Sequence, residues 1–473
     1  MTQTRQLFGT DGIRGVAGEF PLTPDSVYWI GRALGHDLVR VNAKPRVLIG
    51  QDTRISSRWI ADRFLQGLAS VGVATRSAGV ITTPGVAFLA RSQGFDAGVV
   101  ISASHNPWTD NGIKIFSRDG YKLPDARELA IEKEIFALLQ DSSAAPAADS
   151  TSGSTSEASS LPGDESLRQA YVRWLAGSVS ADLSRLRVVV DTANGAAAAE
   201  APALFRAVRV STTFLHSAPD GQNINDNCGA LHPETVAHYV AENLASRTSD
   251  TSGTSKERFD LGITFDGDAD RALFCDAEGR VVNGDAVLLL AARAMQRRGT
   301  LANATVVATT MSNMGLELAL KRSGIRMLRA PVGDRYVLEQ MLAHNAALGG
   351  EQSGHILLPH LATTGDGLLT ALVVLDLVAR SGKSIDELTA DLTVFPQVIV
   401  NIKVREKRPL DSIPAVAAAI HAAEEELRDT GRVVIRYSGT EALARVMIEA
   451  ESEAAMQHHA ETIAAAIRNE LGA

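Results

Sequence analysis

Three aspartates at alternate positions, Asp266, Asp268 and Asp270, form the pattern with the clearest chemistry in the chain. They follow the apolar run Leu261–Phe265, which predicts a buried strand. Alternate side chains of an extended segment point the same way, so the three carboxylates are expected to face one point. Their mutual repulsion predicts a cation between them, and a ligand set made of oxygen alone favours Mg²⁺ over zinc.

Two other interpretations of this acidic loop compete with a magnesium site. A calcium-binding EF-hand is excluded, because Arg271 and Ala277 stand where that motif requires glycine and glutamate. An acidic turn exposed to solvent is disfavoured by the apolar strand that precedes the loop. The residues therefore predict a metal site and leave the reaction undefined.

A second polar loop follows the apolar run Ala97–Ile101, which also predicts a buried strand. Ser104 lies where this strand should end, because the pair Asn106-Pro107 favours a turn. Ligands bind at such strand ends in open α/β sheets. A turn serine with no further role is the alternative, but the polar neighbours favour a site. Those neighbours are His105, Asn106, Asp110, Asn111 and Lys114.

The glycine-rich segment Gly349–His355 brings together a carboxylate, an amide, a hydroxyl and an imidazole. Such groups hydrogen-bond sugar hydroxyls or move protons, so Glu351, Ser353 and His355 are candidate site residues. A lone histidine is more often structural, but the flanking glycines and polar partners favour a site here.

Two further segments are candidates for anion binding. In Arg436–Glu441 a glycine stands between two hydroxyl residues beside an arginine, which is typical of a phosphate-binding loop, and Arg445 is close in sequence. The segment Phe8–Gly15 contains three glycines and is not expected to form a stable helix. It is either a plain loop or a segment that places Arg14 near an anion.

Composition narrows the class of protein. The chain has 473 residues, with 46 basic and 55 acidic side chains. Its formal net charge of −9 argues against nucleic acid or a membrane surface as a partner. Only two cysteines occur, so disulfides are not expected and a reducing compartment fits. No apolar leader or membrane-spanning run is evident. We therefore expect a cytoplasmic protein.

A strand–turn–helix pattern occurs three times, and each copy is followed by a short apolar strand that ends in a polar loop. This repeat predicts three related α/β domains whose loops converge on one cleft. The chain from Ser384 onward predicts a smaller α+β domain. The first elements are Arg46–Arg54, Arg187–Gly195 and Thr305–Gly315, and the second are Asp96–Ser104, Asp260–Asp268 and Ala346–Gly354.

Two segments are low in complexity, Asp141–Ser160 and Ser246–Ser255. They cannot bury enough apolar surface to offset the entropy of ordering them, so the first is expected to be a linker and the second a surface insertion. The predicted domains are residues 1–160, 161–276, 277–383 and 384–473.

Taken together, these motifs resemble the α-D-phosphohexomutase superfamily, and within it the glucosamine subgroup. The matching segments include FGTDGIRG, ISASHNPWTDNGIKIF, DGDADR, MSNMGLELAL, GEQSGH and RYSGTEALARVMIE, and they run in the family's order from Phe8 to about Glu449. The resemblance implies four domains around a central cleft, with mixed sheets in the first three. It also implies a Mg²⁺ cofactor and a hexosamine phosphate as substrate.

The resemblance further implies a role for each matched residue. Ser104 would carry a phosphoryl group in the resting enzyme, and this phosphate would join the three aspartates as a ligand of Mg²⁺. Lys114 and His355 fall on positions for proton transfer, and Arg14 and Arg271 fall on positions of active-site arginines. Glu351 and Ser353 fall on positions that select the sugar. The positions for phosphate binding hold Arg436, Ser438, Gly439 and Thr440. Ala269 stands where glycine is commoner in the family.

The implied reaction interconverts glucosamine 6-phosphate and glucosamine 1-phosphate through a 1,6-bisphosphate, and would supply the synthesis of UDP-N-acetylglucosamine. Three alternatives stay open. One is a Mg²⁺-dependent phosphatase of the haloacid dehalogenase type with Asp266 as nucleophile, and another is a protein that binds sugar phosphates without turnover. The third keeps the chemistry but uses glucose or mannose phosphates. A homodimer is also an open expectation.

Overall fold

The computed structural model of the protein describes residues 5–140, 162–249, 258–438 and 442–473. Four β-sheets divide these residues into four units that follow one another along the chain. The predicted linker Asp141–Ser160 lies outside the described residues, as does most of the predicted insertion Ser246–Ser255. In the part of the chain that is described, no helix is both long enough and apolar enough to cross a membrane.

The first unit contains a six-stranded mixed sheet with helices on both faces. Its elements are β1 (Phe8–Gly9), β2 (Gly12–Val16), α1 (Pro24–Val41), β3 (Arg46–Gln51), α2 (Ile55–Ala69), β4 (Ala74–Val80), α3 (Thr83–Ser92), β5 (Ala97–Ile101), β6 (Asp110–Ser117) and α4 (Asp125–Gln140). The strand order is β1-β2-β6-β5-β3-β4. Helix α1 begins after Thr23, whose hydroxyl accepts a hydrogen bond from the Ser26 N–H.

The second unit contains a five-stranded sheet in the order β11-β10-β9-β7-β8. Its elements are α5 (Glu165–Ala176), β7 (Arg187–Asp191), α6 (Ala197–Ala207), β8 (Ser211–Leu215), α7 (Pro233–Ser249), β9 (Leu261–Phe265), β10 (Ala272–Asp276) and β11 (Val281–Val282).

The third unit contains a four-stranded sheet in the order β13-β12-β14-β15. Its elements are α8 (Gly284–Arg297), β12 (Thr305–Thr309), α9 (Met314–Arg322), β13 (Arg326–Ala330), α10 (Asp334–His344), β14 (Leu348–Gly350), β15 (Ile356–Leu357), α11 (Gly367–Ser381) and α12 (Ile385–Thr389).

The first three sheets share one arrangement, which confirms the predicted repeat. In each sheet a first strand lies between two parallel neighbours, and the later of these neighbours turns back into an antiparallel partner. The first strands are β3, β7 and β12, the later neighbours are β5, β9 and β14, and the antiparallel partners are β6, β10 and β15. The predicted strands Ala97–Ile101 and Leu261–Phe265 are β5 and β9, and every residue in both is buried.

The fourth unit is smaller and contains a three-stranded antiparallel sheet in the order β16-β18-β17, covered by two helices. This confirms the α+β domain predicted for the end of the chain. Its elements are β16 (Gln397–Lys403), α13 (Pro414–Leu427), β17 (Gly431–Tyr437), β18 (Leu443–Ala450) and α14 (Glu453–Leu471).

One hydrophobic core runs through the first three units. A single cluster of buried residues includes Val100 of β5, Val190 of β7 and Leu288 of α8. The same three units also meet at Tyr171, whose hydroxyl donates to Asp366 at 2.7 Å and accepts from Thr82 at 3.3 Å. The fourth unit has a separate core. The first three units are therefore packed as one body, to which the fourth is attached.

A short element lies just past each of two predicted domain limits, 276 and 383. The second sheet continues past 276, because Val282 of β11 pairs with Phe274. The third unit continues past 383, because Ile385 of α12 is buried in the core cluster that includes Leu288 of α8. Both elements have five residues or fewer and carry too little periodicity to be placed from sequence.

Candidate active site

The loops after β5, β9 and β14 meet at one place, and each carries a predicted site residue. Ser104 lies in the first loop, the acidic cluster Asp266, Asp268 and Asp270 in the second, and His355 in the third. These loops occupy equivalent positions in the three repeats, at the carboxyl ends of the strands. The sequence prediction that repeated loops would converge is confirmed.

Ser104 is held firmly at the centre of this site. Its hydroxyl donates a hydrogen bond of 2.6 Å to Asp266 Oδ2, and the residue is 1% exposed. Its φ of +54° lies in the left-handed region, which non-glycine residues adopt mainly in turns and functional sites. Its carbonyl oxygen accepts from Arg54 Nη2 and from Asn225 Nδ2, both at 3.0 Å. These contacts fix the direction of the hydroxyl.

The three aspartates of the acidic cluster form a buried set of oxygen donors. One oxygen from each lies within 4.8 Å of the others. Among the described residues, Oδ1 of Asp268 and Oδ1 of Asp270 are buried and accept no hydrogen bond, although His355 Nδ1 lies 3.5 Å from the latter. Burial, and then the charges of Asp270 and Asp268, raises the pKa of Asp266 well above its usual value. Buried oxygens that accept no hydrogen bond and the mutual repulsion of the carboxylates are what a divalent cation would relieve, so these residues fit Mg²⁺.

At two positions of the acidic loop, close packing or the backbone conformation favours glycine. Gly267 packs tightly, since a Cβ atom there would lie 2.6 Å from the Ser104 carbonyl oxygen and 2.8 Å from Asn225 Nδ2. Ala269 has a φ of +55°, which glycine adopts more easily than alanine. Glycine would therefore fit the backbone conformation at position 269 more easily than the alanine that stands there.

Lys114 is the buried cation of the site. Its Nζ lies 2.7 Å from Asp268 Oδ2, 2.9 Å from Asp11 Oδ2 and 3.7 Å from Asp270 Oδ2, and the residue is 1% exposed. Burial alone would lower its pKa, but the carboxylates of Asp11, Asp268 and Asp270 outweigh burial and raise it. Lys114 therefore stays charged at neutral pH in this environment.

His355 lies on the far side of the acidic cluster. Its Nδ1 is 3.5 Å from Asp270 Oδ1, and its Nε2 is 3.7 Å from Asp334 Oδ2. Burial lowers the pKa of His355, but the charges of Asp270 and Asp334 prevail and raise it to about 9. Gly365 fits against the ring, where any Cβ atom would overlap the imidazole. The ring is thus held in place and carries a proton at neutral pH.

Two arginines line the same site. Arg14 pairs with Asp11, and its Nη1 lies 3.5 Å from Asn106 Oδ1. The Arg271 backbone N–H donates to Asp266 Oδ1 at 3.2 Å. Burial, followed by the charges of Arg271 and Arg14, lowers the pKa of His105 to about 4. Arg14 and Arg271 thus place two guanidinium groups near His105, the residue that follows Ser104.

Glu351 and Ser353 lie in the loop between β14 and β15, beside the acidic loop. The Ser353 hydroxyl donates to Glu351 Oε2 at 3.4 Å, and the Glu351 N–H donates to the His355 carbonyl at 2.9 Å. Burial lowers the pKa of Arg271, but the charges of Asp270, Asp266 and Glu351 outweigh burial and raise it. The structure therefore brings these two predicted residues together with His355 and Arg271.

The predicted phosphate-binding residues lie on the fourth unit. Arg436 and Arg445 are directly opposite each other in the β17–β18 ladder, and the Ser438 N–H donates to the Leu443 carbonyl at 2.8 Å. Gly439 and Thr440 lie outside the described residues. The side chains that contact Ser104 belong to the first and second units, whereas Arg436 and Arg445 lie on the fourth.

Sequence reasoning missed several residues that support the site. Arg54 is buried, pairs with Asp52, and donates from Nη2 to the carbonyl oxygens of Ser104 and Asn106, the latter at 2.5 Å. Asn225 donates to the same two carbonyls. The sequence did carry a signal for Arg54, because Asp52 and Arg54 form a charged pair directly after the buried strand β3. Asn225 carries no such signal, because its contact depends on the packing of two units.

Models of the phosphoglucomutase/phosphomannomutase family match nearly the whole chain. The alpha/beta/alpha domains I, II and III match residues 5–141, 169–279 and 283–395, and the C-terminal domain matches residues 399–466. The phosphoglucosamine mutase of Koribacter versatilis is 60% identical over 470 residues, which covers 99% of this chain and 98% of that protein.

The chain belongs to the phosphoglucosamine mutase family.

Solved structures share the fold of this phosphoglucosamine mutase family member at lower identity. A phosphoglucomutase/phosphomannomutase family protein from Burkholderia thailandensis is 22% identical, with a TM-score of 0.76 over 99% of both chains. N-acetylphosphoglucosamine mutase from Aspergillus fumigatus, in complex with GlcNAc-6P and magnesium, is 20% identical, with a TM-score of 0.64 over 98% of this chain and 96% of that one. These likenesses establish a shared four-domain fold.

Proposed function

We propose that the protein interconverts glucosamine 6-phosphate and glucosamine 1-phosphate through a phosphoserine at Ser104 and a 1,6-bisphosphate intermediate. The product would supply the synthesis of UDP-N-acetylglucosamine. The observation that carries this proposal is the hydrogen bond of 2.6 Å between the Ser104 hydroxyl and Asp266, within a buried cluster of three carboxylates. A nucleophilic hydroxyl fixed beside a cation site is the arrangement that phosphoryl transfer needs.

The cofactor in this proposal is Mg²⁺, held by Asp266, Asp268, Asp270 and the phosphate on Ser104. When bound, it would neutralise negative charge on the phosphoryl group. The buried Oδ1 atoms of Asp268 and Asp270, which accept no hydrogen bond from the described residues, support this assignment. The A. fumigatus relative with magnesium in its crystals supports the choice of ion.

In the first half of the proposed reaction, a sugar hydroxyl attacks the phosphorus atom of phosphoserine 104. A phosphorus–oxygen bond to the sugar forms, the bond to Ser104 Oγ breaks, the sugar hydroxyl loses its proton and Oγ leaves. The charged Nζ of Lys114, which contacts Asp268 and Asp11, stabilises negative charge at this centre. We assign proton transfer to Lys114 and His355, which both carry a proton in this environment: one of them donates its proton to Ser104 Oγ as the bond to phosphorus breaks and, once neutral, takes the proton of the sugar hydroxyl.

In the second half of the reaction, the bisphosphate must reverse its orientation in the site, so that Ser104 takes back the other phosphoryl group. The site must then bind either phosphate away from the metal. We propose that Glu351 and Ser353 bind the sugar, that Arg14 and Arg271 attract the reacting phosphate, and that the fourth unit binds the distal one. The proposed distal ligands are Arg436, Ser438, Gly439, Thr440 and Arg445.

We also propose that the chain has the four predicted domains, that it is cytoplasmic and that it forms a homodimer. The proposed domains are residues 1–160, 161–276, 277–383 and 384–473. Both cysteines are free thiols, which suits a reducing compartment. The homodimer stays a prediction.

A phosphate-release assay separates this reaction from the phosphatase alternative. A mutase fed glucosamine 6-phosphate is expected to form glucosamine 1-phosphate with little inorganic phosphate. A phosphatase with Asp266 as nucleophile would release phosphate and would not depend on Ser104. Steady-state kinetics on glucosamine, glucose and mannose phosphates decide the sugar, and a glucose or mannose preference would contradict the assignment to the glucosamine substrate.

A further inference from the structure

A second group of metal-binding side chains lies in the second unit, outside the site described above. Asp191 is the last residue of β7, His216 directly follows β8, and Cys228 lies in the connection between β8 and α7. One ligand atom from each residue lies within 4.8 Å of the other two. Asp191 and His216 come together because β7 and β8 are adjacent parallel strands, and the connection after β8 returns Cys228 to them, with the Gly229 N–H donating to Asp191.

The donor chemistry of this second cluster differs from that of the acidic loop. It offers a carboxylate oxygen, an imidazole nitrogen and a thiol sulfur, which together suit Zn²⁺ and disfavour Mg²⁺. Donors around a tetrahedral zinc ion, at bond lengths of about 2.0–2.3 Å, are separated by about 3.3–3.8 Å. The observed separations fall in a range that a small adjustment would bring to these values.

The local contacts also point to a shared ligand. His216 Nδ1 is buried and lies 3.1 Å from Asp191 Oδ2, so the imidazole and the carboxylate already face each other. A metal ion bound between the two side chains would take the place of this direct contact. Asp191 and Cys228 are fully buried, whereas the His216 side chain is 33% exposed and leaves one side open for a water ligand.

The carboxylate of this cluster is positioned before any ligand binds. Asp191 Oδ1 accepts the Ala193 N–H at 2.8 Å, and Oδ2 accepts the Gly229 N–H at 3.0 Å. A nucleophilic role for the thiol is disfavoured, since burial and then the charges of Asp191 and Asp226 raise the pKa of Cys228 to about 12. On metal binding the thiol would release its proton to solvent.

We propose that Asp191, His216 and Cys228 form a binding site for a thiophilic divalent cation of the Zn²⁺ type, with a structural role. Asn225 stands three residues before Cys228, and its side chain donates to the carbonyl oxygens of Ser104 and Asn106 at 3.0 and 3.2 Å. A cation at Cys228 therefore steadies the loop that holds Ser104. This proposal does not depend on the sugar that the enzyme converts.

Cobalt(II) is the suitable probe, because a thiolate ligand gives Co²⁺ a strong charge-transfer absorption that carboxylates and imidazoles do not give. The full-length protein, with excess Mg²⁺ present to occupy the acidic cluster, is expected to show this band and to saturate at one Co²⁺ per chain. Cys228→Ala should abolish the band. Cys275→Ala is the matched control, since Cys275 is also fully buried but lies outside the cluster, and it should keep the band.

A second variant and a second readout protect the test against a folding defect in Cys228→Ala. His216 is partly exposed, so His216→Ala is expected to fold normally by circular dichroism and to bind Co²⁺ at least tenfold more weakly. Zn²⁺ should raise the melting temperature of the unmutated protein and of Cys275→Ala, but not that of His216→Ala. The proposal is overturned if the unmutated protein gives no thiolate band, or if His216→Ala binds Co²⁺ with unchanged affinity.

Discussion

The Ser104 hydroxyl and the Asp266 carboxylate, 162 positions apart in the sequence, are joined by a hydrogen bond of 2.6 Å. Ser104 belongs to the first repeat and Asp266 to the second, in the equivalent loop. The site therefore forms only when two units pack against each other, and the continuous core through the first three units holds this packing in place. The predictions below concern groups that this packing brings together.

Asp266→Asn should lower mutase activity but raise the stability of the metal-free protein. The substitution keeps the shape of the side chain but removes one of three repelling charges, so mutase activity should fall on the order of 10²–10³-fold. In metal-free buffer the same variant should melt at a higher temperature, because burial disfavours the charged form of Asp266. Asp260→Asn, at the far end of β9 where Asp260 accepts from the Arg187 N–H, is the control and should keep full activity. Retained activity in Asp266→Asn would contradict the assignment.

Lys114→Met should reduce both turnover and stability. It removes the cation that contacts Asp11 and Asp268 and leaves buried carboxylates without compensation, at a cost of about 3–5 kcal/mol in the metal-free protein. Urea unfolding measures that loss, and added Mg²⁺ should restore part of it without restoring kcat. Lys133→Met, on the exposed face of α4, should change neither quantity. Equal unfolding midpoints for the two variants would show that Lys114 is not the partner of these carboxylates.

His355 should make the stability of the metal-free protein depend on pH. Its pKa is raised from about 6.5 to about 9 on folding, so its contribution is fully present below pH 6.5 and is lost as pH rises toward 9. The unfolding free energy should fall by up to about 3 kcal/mol across this window. His355→Gln should flatten the slope, whereas His421→Gln, at an exposed position on α13, should leave it unchanged. A slope that survives in His355→Gln would assign the pH dependence to another group.

Arg432→Ala should loosen the fourth unit from the third. The Arg432 guanidinium donates to the carbonyl oxygens of Thr310 at 3.0 Å and Ser312 at 2.6 Å, and it pairs with the fully buried Glu449. If the fourth unit binds the distal phosphate, the variant should raise KM for the sugar phosphate by about tenfold, with a smaller change in kcat.

Two further variants sharpen the Arg432 test. Arg432→Lys should recover part of the affinity, because it restores the charge opposite Glu449 but not both hydrogen bonds. Arg468→Ala, at an exposed position on α14, should behave like the unmutated protein. A fall in kcat at constant KM in Arg432→Ala would argue against a role of this contact in phosphate binding.

Local sequence patterns were enough to place much of this site. The strands Ala97–Ile101 and Leu261–Phe265 follow from apolar runs ended by polar turns, and the structure has them at those residues. The convergence of the loops followed from the repeat. Ser104 and the acidic cluster were identified for the same reason, since each lies directly after one of these strands.

The remaining features depend on contacts between distant segments. The clamp of Arg54 and Asn225 on the Ser104 carbonyl joins three separate stretches of chain, and no spacing in the sequence records it. The pairing of Lys114 with Asp11 likewise joins β6 to the N-terminal loop. The cluster of Asp191, His216 and Cys228 was not predicted from the sequence for the same reason, because its members come from three different segments.

The most direct test of the account is the mass of the purified protein, followed by peptide mapping. The account predicts that a fraction of the chains carries one phosphoryl group, that this group maps to Ser104, and that incubation with glucosamine 1,6-bisphosphate raises this fraction toward one. It also predicts that Ser104→Ala carries none and has no mutase activity. A Ser104→Ala variant that converts glucosamine 6-phosphate at the unmutated rate would contradict the account.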